Sequence, residues 1–333
     1  MDLVTDYLTD LESRGRSPAT IRASRADLRQ FQQWWETTQQ QPWDVALTTE
    51  QDLRRWQRHR QVDDGAAPAT INRGLSTLRG FCGWAVGRGA MADDPSTAIR
   101  DVATEPVGPQ ALPELAVDAL LRAARNQPQP HKGRDEAILA LLIYTGVRAQ
   151  EACDIQLRDL DLRGGTLTVR SGKGRKVRRI PLHPAAIRLL DRYLIEVRCP
   201  HGVPTLGADG EREPLLVRIK ATAPGRPLSP GVTPRGLSTI VQRLGVTAAA
   251  SLRERAAKVT DFGQLDALVT AAHRLDAVAP HQLRHSLARR LLHGGAQLPE
   301  VQRILGHSRL STTGMYLTPS EDDLRGAIER MQI

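Results

Sequence analysis

Two residues near the C-terminus carry side chains that could perform nucleophilic chemistry together. Tyr316 follows His307 by nine positions in the stretch "LGHSRLSTTGMYL", residues 305–317, and tyrosine occurs only four times in 333 residues. A tyrosine hydroxyl, with an ordinary pKa of about 10, becomes a useful nucleophile only when a neighbouring group takes or shares its proton. The stretch by itself fits both a nucleophile and a tyrosine that packs on a helix, so the other motifs must decide.

Upstream motifs supply basic side chains suited to a phosphate group. They are "TGVRAQE" with Arg148, "GKGRK" with Lys173, "HQLRH" with His281 and Arg284, and "LGH" with His307. Each also has an ordinary explanation: Arg148 could pair with Glu151 on the surface, and Lys173 could be a solvated turn lysine. His307 could simply cap a helix. Together with His285, the "HQLRH" motif resembles metal-ligand spacing, but it contains no Asp or Glu, and we predict no metal there.

The charge of the chain indicates a polyanionic partner. The formal net charge is +9 and the sequence pI is about 10.1. Residues 1–105 hold 13 Arg, no Lys and 15 acidic residues, whereas the remainder holds 33 basic and 22 acidic residues. The net positive charge of the chain therefore comes from the residues beyond 105. Arginine is suited to bidentate contacts with phosphate. A basic housekeeping enzyme, or the arginine bias of a GC-rich genome, would give the same composition.

Composition and segment lengths exclude several classes of protein. No apolar run approaches the roughly 20 residues of a membrane span, and the acidic start "MDLVTDYLTDLESRG" lacks the features of a secretory signal. The three cysteines form no CxxC pair, which favours a reducing, cytoplasmic (nucleoid-associated) location. "CPHG" at 199–202 offers too few ligands for a metal. We therefore expect no metal, no cofactor and no membrane partner.

The first hundred residues contain two similar helical segments. In "SPATIRASRADLRQFQQWWE", Ser17 is the predicted N-cap and Pro18 the first helical residue. Fifty residues later "APATINRGLSTLRGFCGW" repeats the start and the apolar spacing, with Leu28 matching Leu78 and Phe31 matching Phe81. We predict a small bundle with two helices of similar cap and face. Their arginines could contact DNA or lie solvated outside a core; the candidates are Arg22, Arg25, Arg29, Arg73 and Arg79.

Later segments divide the chain. We predict a helical domain over 1–92, a linker over 93–111 rich in Pro, Asp and small residues, and a second domain over 112–333 with an insertion near 199–276. Residues 112–124, 133–155 and 184–198 are predicted helical, and "TLTVRSGKGRKVRRIPLH" is typical of a β-hairpin around Gly-Lys-Gly. Residues 199–235 are predicted as loop with one apolar run, "PLLVRI". The helical stretch 246–276 could contact DNA or a neighbouring subunit, but we favour a neutral surface insertion.

The chain resembles the tyrosine recombinases, also called the phage integrase family, which includes Xer-like and transposon or phage integrase members. The resemblance lies in five catalytic motifs that occur in the family's order: "TGVRAQE", "GKGRK", "HQLRH", "LGH" and the final tyrosine. The repeated helices resemble the SAM-like core-binding domain of that family, and the resemblance covers approximately residues 1–195 and 277–333. It implies a mainly α fold with a small β-sheet (α+β). It also implies a metal-free site composed of Arg148, Lys173, His281, Arg284, His307 and the nucleophile Tyr316.

Physical chemistry supports these implied roles. Two arginines can surround the non-bridging oxygens of a phosphodiester and stabilise the charge that grows in the transition state. His281 would take the proton of Tyr316, Lys173 on the hairpin turn would supply one to the leaving 5′-oxygen, and His307 would hydrogen-bond the phosphate. In the family that hairpin reaches the minor groove, so we add Arg175 and Lys176 to the DNA-binding candidates. A 3′-phosphotyrosyl intermediate keeps the bond energy, so rejoining needs neither ATP nor Mg²⁺.

The resemblance implies a site-specific recombinase acting through a Holliday junction on double-stranded DNA with inverted-repeat core sites. It implies a homotetramer on DNA in which the amphipathic segment "EDDLRGAIERMQI" docks on the next protomer, although packing on its own domain is the alternative. Two alternative interpretations are a type IB-like topoisomerase and an inactive DNA-binding accessory protein. The lack of an arm-binding domain before residues 1–105 disfavours the large phage integrases. The target sequence and the biological role are not encoded in these patterns.

Overall fold

The structure is a computed structural model that describes residues 2–104, 111–170, 177–199, 212–219 and 231–306. The chain divides into two compact units, Met1–Val107 and Gly108–Ile333. Helices dominate both units, and the described strands form one antiparallel three-stranded sheet in the second. The predicted mainly α fold with a small β-sheet is therefore confirmed.

Four α-helices form the first unit: α1 (Leu3–Ser13), α2 (Pro18–Gln39), α3 (Glu50–Val62) and α4 (Pro68–Gly87). Helix α2 begins as predicted, because the Ser17 hydroxyl accepts a hydrogen bond from the Thr20 amide at 3.1 Å and Pro18 occupies the first turn. The prediction of the same cap for α4 is wrong. Its N-cap is Ala67, whose methyl group cannot accept a hydrogen bond, so the two helices share only the proline start.

The repeated apolar positions lie in one core. Leu28, Phe31, Leu78 and Phe81 are all buried, and the Phe81 ring packs edge-on against Tyr7 at 5.4 Å between centroids. The matching sequence patterns therefore reflect matching buried faces, as amphipathic helices require.

The segment that follows α4 belongs to this unit over most of its described length. Met91 and Ile99 are buried in the same core. The side-chain amide of Asn72 makes two hydrogen bonds with the backbone of Val102. It donates to the Val102 carbonyl at 2.9 Å and accepts from the Val102 amide at 2.8 Å. Residues 91–102, which overlap the predicted linker, are thus packed on the first unit.

The second unit contains eight α-helices and three strands in the described ranges. They are α5 (Glu114–Arg125), α6 (His131–Thr145), α7 (Ala149–Asp154), β1 (Leu160–Asp161), β2 (Thr166–Arg170), β3 (Val177–Pro181), α8 (Pro184–Tyr193), α9 (Pro234–Ala256), α10 (Phe262–Asp276), α11 (Pro280–His293) and α12 (Leu298–Leu305). A π-helical turn, Leu194–Arg198, continues α8. None of the helices in these ranges is long and apolar enough to cross a membrane.

Helix α6 lies at the centre of this unit. Every residue from Ala137 to Ile143 is fully buried, because α5, α8, α9 and α11 all pack on it. The prediction of one helical stretch over 133–155 is wrong. Gly146, with φ of +62°, ends α6, and Arg148 adopts extended backbone before α7 begins.

The predicted hairpin is confirmed in its strands. β2 and β3 pair antiparallel, with Leu167 opposite Ile180 and Val169 opposite Arg178. The turn between them, residues 171–176, lies outside the described residues.

The stretch 246–276 is helical, as predicted, but it is not a surface insertion. Leu244, Ala248 and Leu252 on α9 and Leu268 and Leu275 on α10 are buried in the core of the second unit. Helices α9 and α10 pack along each other and on α5, so they complete the core. Leu215 and Leu216, from the predicted apolar run, are buried there as well.

Candidate active site

Arg148 lies on a short loop between α6 and α7 that packs tightly against two other helices. A Cβ atom on Gly146 would lie 2.7 Å from Leu305 Cδ2 and 2.9 Å from Leu287 Cδ2, distances that side chains do not adopt. Gly146 also has positive φ, so glycine is required here on both counts. The close approach brings the loop of "TGVRAQE" against α11, which carries "HQLRH", and against α12, whose last residue, Leu305, begins "LGH".

Arg148 combines an ion pair with solvent exposure. Its guanidinium donates to Glu151 Oε1 at 3.1 Å and its backbone amide donates to Oε2 at 2.8 Å. The side chain is still 49% exposed. The ordinary ion pair considered from the sequence therefore exists, and it leaves much of this guanidinium accessible to a ligand.

Arg284, in the "HQLRH" motif, contacts residues of two other motifs. The residue is 5% exposed and donates to the Gly146 carbonyl and to the Leu305 carbonyl, both at 2.5 Å. Gly146 precedes Arg148 by two positions, and Leu305 precedes His307 by two positions. One buried guanidinium thus joins three of the five sequence motifs.

The histidines of "HQLRH" lie in the first turns of α11. His281 is exposed, and its ring centroid lies 6.0 Å from that of His285. Burial, with smaller contributions from His281 and Arg284, lowers the pKa of His285 below its usual value of 6.5, which favours its neutral form. In the described ranges no three His, Cys, Asp or Glu side chains are grouped as a metal site would require.

Glu151 has a second arginine partner that the sequence motifs do not indicate. This carboxylate is buried and accepts two hydrogen bonds from Arg178 on β3, at 3.0 Å to Oε1 and 2.8 Å to Oε2, besides those from Arg148. Burial alone would raise the pKa of Glu151, but the hydrogen bonds and charges of the two arginines outweigh it and lower the pKa to about 2. The only sequence signal for Arg178 is its place two residues before Ile180, on the inward face of β3.

This ion cluster predicts a pH-dependent contribution to the stability of the second unit. Because the folded pKa of Glu151 is depressed, its contribution is present above the unfolded pKa of about 4.3 and is lost as pH falls towards about 2. For this buried group the shift corresponds to about 3 kcal/mol. We expect Glu151→Gln to destabilise the second unit at neutral pH and the difference from wild type to shrink below about pH 4.

Urea unfolding followed by circular dichroism at several pH values would measure this difference. All five tryptophans lie in the first unit, so tryptophan fluorescence would report on the wrong unit. Asp276→Asn is the matched control, because Asp276 pairs with Arg253, both side chains are exposed, and ion pairs open to solvent contribute little. A pH-independent difference for Glu151→Gln would contradict the assigned role of the ionised carboxylate.

Three of the six predicted catalytic residues can therefore be located. Arg148, His281 and Arg284 lie on the α6–α7 loop and on α11, which pack together at the C-terminal end of α6. Lys173, His307 and Tyr316 lie outside the described residues. Arg148 and Arg284 lie on or against one loop, and two arginines there are chemically suited to stabilising an anionic transition state.

The predicted DNA-binding arginines of the first unit fall into two groups. Arg22, Arg25 and Arg29 are exposed on one face of α2, and in the described ranges none has a carboxylate within ion-pair distance. Arg73 and Arg79 are instead tied within the unit. Arg73 pairs with the buried Asp27 at 2.7 Å, and Arg79 pairs with Asp101 at 2.8 Å. Arg175 and Lys176 lie outside the described residues.

The sequence is similar to recombinases of known family. Residues 110–322 match the phage integrase family, and residues 4–89 match the phage integrase N-terminal SAM-like domain. The chain is 31% identical over 330 residues to the tyrosine recombinase XerC of Corynebacterium glutamicum, covering 98% of this chain and 91% of the relative. It is 35% identical over 321 residues to the tyrosine recombinase XerC of a Mycobacterium species, strain KMS, covering 95% and 92%.

Solved structures of low sequence identity share the fold. The integrase of the transposon Tn1549, solved with circular intermediate DNA, superimposes with a TM-score of 0.65 at 20% identity, covering 99% of this chain and 100% of the other. The recombinase XerH, solved bound to its difH substrate, gives a TM-score of 0.62 at 19% identity, covering 98% and 85%. With both domains matched and relatives that span nearly its full length, this chain belongs to the phage integrase family of tyrosine recombinases.

Proposed function

We propose that this protein is a site-specific DNA recombinase that cleaves and rejoins duplex DNA through a 3′-phosphotyrosyl intermediate on Tyr316. The observation that carries the proposal is the buried Arg284 guanidinium, which ties the Arg148 loop to the end of α12 directly before His307. This chain has all six catalytic residue types in the family's order, and three of their motifs pack together. These features favour strand cleavage over DNA binding without catalysis.

The proposed mechanism requires only side chains of this chain. The Tyr316 oxygen attacks the phosphorus, forms the tyrosyl ester and displaces the 5′-oxygen, while His281 accepts the tyrosine proton and Lys173 supplies one to the leaving oxygen. Arg148 and Arg284 stabilise the negative charge on the non-bridging oxygens, and His307 donates a hydrogen bond to the phosphate. Attack of a partner strand's 5′-hydroxyl on the ester reverses these steps, and two such exchanges pass through a Holliday junction.

We propose duplex DNA with inverted-repeat core sites as the substrate and a homotetramer as the active assembly. The relatives are named recombinases, and the solved transposon integrase and XerH structures contain DNA. A basic second domain, with 33 basic and 22 acidic residues beyond residue 105, suits a phosphate backbone. Docking of the C-terminal segment on the next protomer, and a cytoplasmic, nucleoid-associated location, belong to the same proposal.

Trapping the covalent intermediate tests this function even while the target sequence is unidentified. The full-length protein is incubated with a library of random duplexes nicked beside the central position, so that the small fragment released by cleavage diffuses away and the adduct accumulates. Adducts that survive denaturation are recovered, their DNA is sequenced, and the linked peptide is identified by mass spectrometry. We expect an inverted-repeat consensus and a nucleotide on Tyr316. Linkage to another residue, or no adduct at all, would refute the proposal.

The same recovered sequences separate recombination from DNA relaxation. A plasmid carrying two copies of the consensus is expected to give exchange products, and a plasmid without it is expected to stay supercoiled. Relaxation of the second plasmid without exchange would instead favour topoisomerase activity.

The exposed face of α2 is proposed to contact DNA phosphates. We expect the double reversal Arg22→Glu, Arg25→Glu to weaken DNA binding by about 10- to 100-fold at low salt, because two favourable phosphate contacts become repulsive. The slope of log affinity against log salt concentration should fall by about two, one for each lost contact. Fluorescence anisotropy over a salt series measures both quantities.

Helix α3 offers a matched control with the same change in charge. Arg55 and Arg58 are also exposed and have no carboxylate within ion-pair distance in the described ranges. We expect Arg55→Glu, Arg58→Glu to reduce affinity only through the general loss of net charge. Equal effects of the two double reversals would show that α2 is not a specific DNA-contacting face.

A further inference from the structure

A single guanidinium on the hairpin connects the Arg148 loop to the end of α12. Arg178, on β3, donates to both carboxylate oxygens of Glu151 and to the Ile304 carbonyl at 3.1 Å. We propose that Arg178 is a positioning residue for strand cleavage, acting through Glu151 on Arg148; this inference rests on the function proposed above.

The bond between Arg178 and Glu151 is geometrically specific. Two parallel N–H donors meet the two oxygens at 3.0 and 2.8 Å, the bidentate arrangement that only arginine can form. The Arg178 side chain is 12% exposed and that of Glu151 is 8% exposed, so water competes little for these groups. Glu151 in turn holds both the guanidinium and the backbone amide of Arg148. The position of Arg148 therefore depends on where Arg178 lies.

The contact with α12 is equally close. Arg178 Nε donates to Ile304, and its guanidinium packs on Gly306, where an added Cβ would lie 2.9 Å from Nη1 and 3.0 Å from Cδ. Gly306 also has φ of +70°, a left-handed conformation that favours glycine. Arg178 thus helps to fix the point at which the chain leaves α12, directly before His307 in the sequence.

The backbone of Arg178 is held by the sheet. It pairs with Val169 across β2 and β3, and Ile180, two residues on along the same face, is fully buried. Its guanidinium therefore extends from a fixed strand to two separate segments of the site. Arg178 itself has no assigned contact with the phosphate; its role is to set the spacing between the groups that do.

A pair of charge-conserving variants tests this role. Arg178→Lys keeps the positive charge but replaces the planar fork with one ammonium, which cannot meet both Glu151 oxygens and the Ile304 carbonyl in the same way. Arg179→Lys is the matched control, because Arg179 is the next residue on β3, is exposed, and has no carboxylate within ion-pair distance in the described ranges.

The measurement separates binding from chemistry. On nicked duplexes recovered by the trapping experiment, we expect Arg178→Lys to slow single-turnover adduct formation by about 100-fold, since small misplacements of catalytic groups have effects of that size. Arg179→Lys should change this rate by less than about threefold, and DNA affinity should change by less than about threefold in both variants. Equal cleavage rates in the two variants, or a loss in Arg178→Lys explained wholly by affinity, would overturn the proposal.

Two further measurements distinguish positioning from general structural damage. If Arg178 acts through Glu151, adding Glu151→Gln to Arg178→Lys should slow cleavage by less than the product of the two single effects. Without DNA, amide hydrogen exchange in residues 298–306 should rise by at least about tenfold in Arg178→Lys and remain unchanged in Arg179→Lys. Multiplicative effects or unchanged exchange would refute the proposed connection. If wild type forms no adduct, the proposed function fails, while the exchange comparison still tests the tie to α12.

Discussion

Tyr316→Phe is expected to bind DNA with unchanged affinity and to form no covalent adduct. The substitution removes the one oxygen that the proposed mechanism uses to attack phosphorus, and a phenyl ring offers no substitute nucleophile. We expect the single-turnover rate of adduct formation to fall by at least about 10⁴-fold, as happens when a nucleophile is removed. The measurement uses the recovered nicked duplexes, denaturing electrophoresis for the adduct and fluorescence anisotropy for binding.

The four tyrosines of the chain provide an internal control for this experiment. Tyr144 is partly buried at the end of α6, where its ring stacks on His183 with centroids 5.0 Å apart. Tyr144→Phe removes the same atom and keeps the ring, so we expect adduct formation within about threefold of wild type. An adduct that persists in Tyr316→Phe, or an equal loss in Tyr144→Phe, would contradict the assignment of the nucleophile.

Elements that are stabilised by contacts within a few residues can be predicted from the sequence. The start of α2 was predictable because Ser17 and Pro18 stabilise a helix end by contacts within four residues. The hairpin was predictable because the alternation of apolar residues has the period of a strand on both sides of Gly-Lys-Gly. The repeated apolar spacing of α2 and α4 likewise gave their buried faces correctly.

Features that depend on distant contacts cannot be predicted from local sequence patterns. The segment 133–155 is predicted as helical throughout, but α6 ends at Gly146 in the left-handed conformation, and Leu305 and Leu287 lie close against this glycine. The stretch 246–276 is predicted as a surface insertion, although Leu252 and Leu275 within it are buried in the core of the second unit. Short-range apolar spacing shows that a face is buried, but it does not show which distant element covers that face.

In the candidate site, the sequence identifies the residues but does not show how they are arranged in space. The motifs that resemble the family selected Arg148, His281 and Arg284, but nothing near them in the sequence indicates how they meet. That information lies in two largely buried arginines, Arg178 and Arg284, which bind backbone carbonyls of the same helix, α12, from β3 and from α11. Both donors bind just before Gly306, which ends α12 in the left-handed conformation that favours glycine.

Arg284 is therefore expected to have two roles that a single substitution can separate. Its hydrogen bonds to the Gly146 and Leu305 carbonyls satisfy buried acceptors, and leaving one of these unpaired costs about 1–3 kcal/mol of stability. Its proposed second role is to stabilise charge on the phosphate. Lysine keeps the charge and can satisfy one acceptor, but it cannot form the planar fork.

We expect Arg284→Lys to fold and bind DNA within about threefold of wild type while slowing adduct formation by about 10³-fold, the effect of removing one strong donor to a developing oxyanion. Arg290→Lys is the matched control, because Arg290 lies on the same helix and donates to the Ile143 carbonyl at 2.7 Å, near the same end of α6. It should lose similar stability, measured by thermal unfolding, but less than about tenfold in cleavage rate. Equal cleavage rates in the two variants would mean that Arg284 only anchors α6 and α12, and the stabilising charge would have to come from Arg148 and its neighbours.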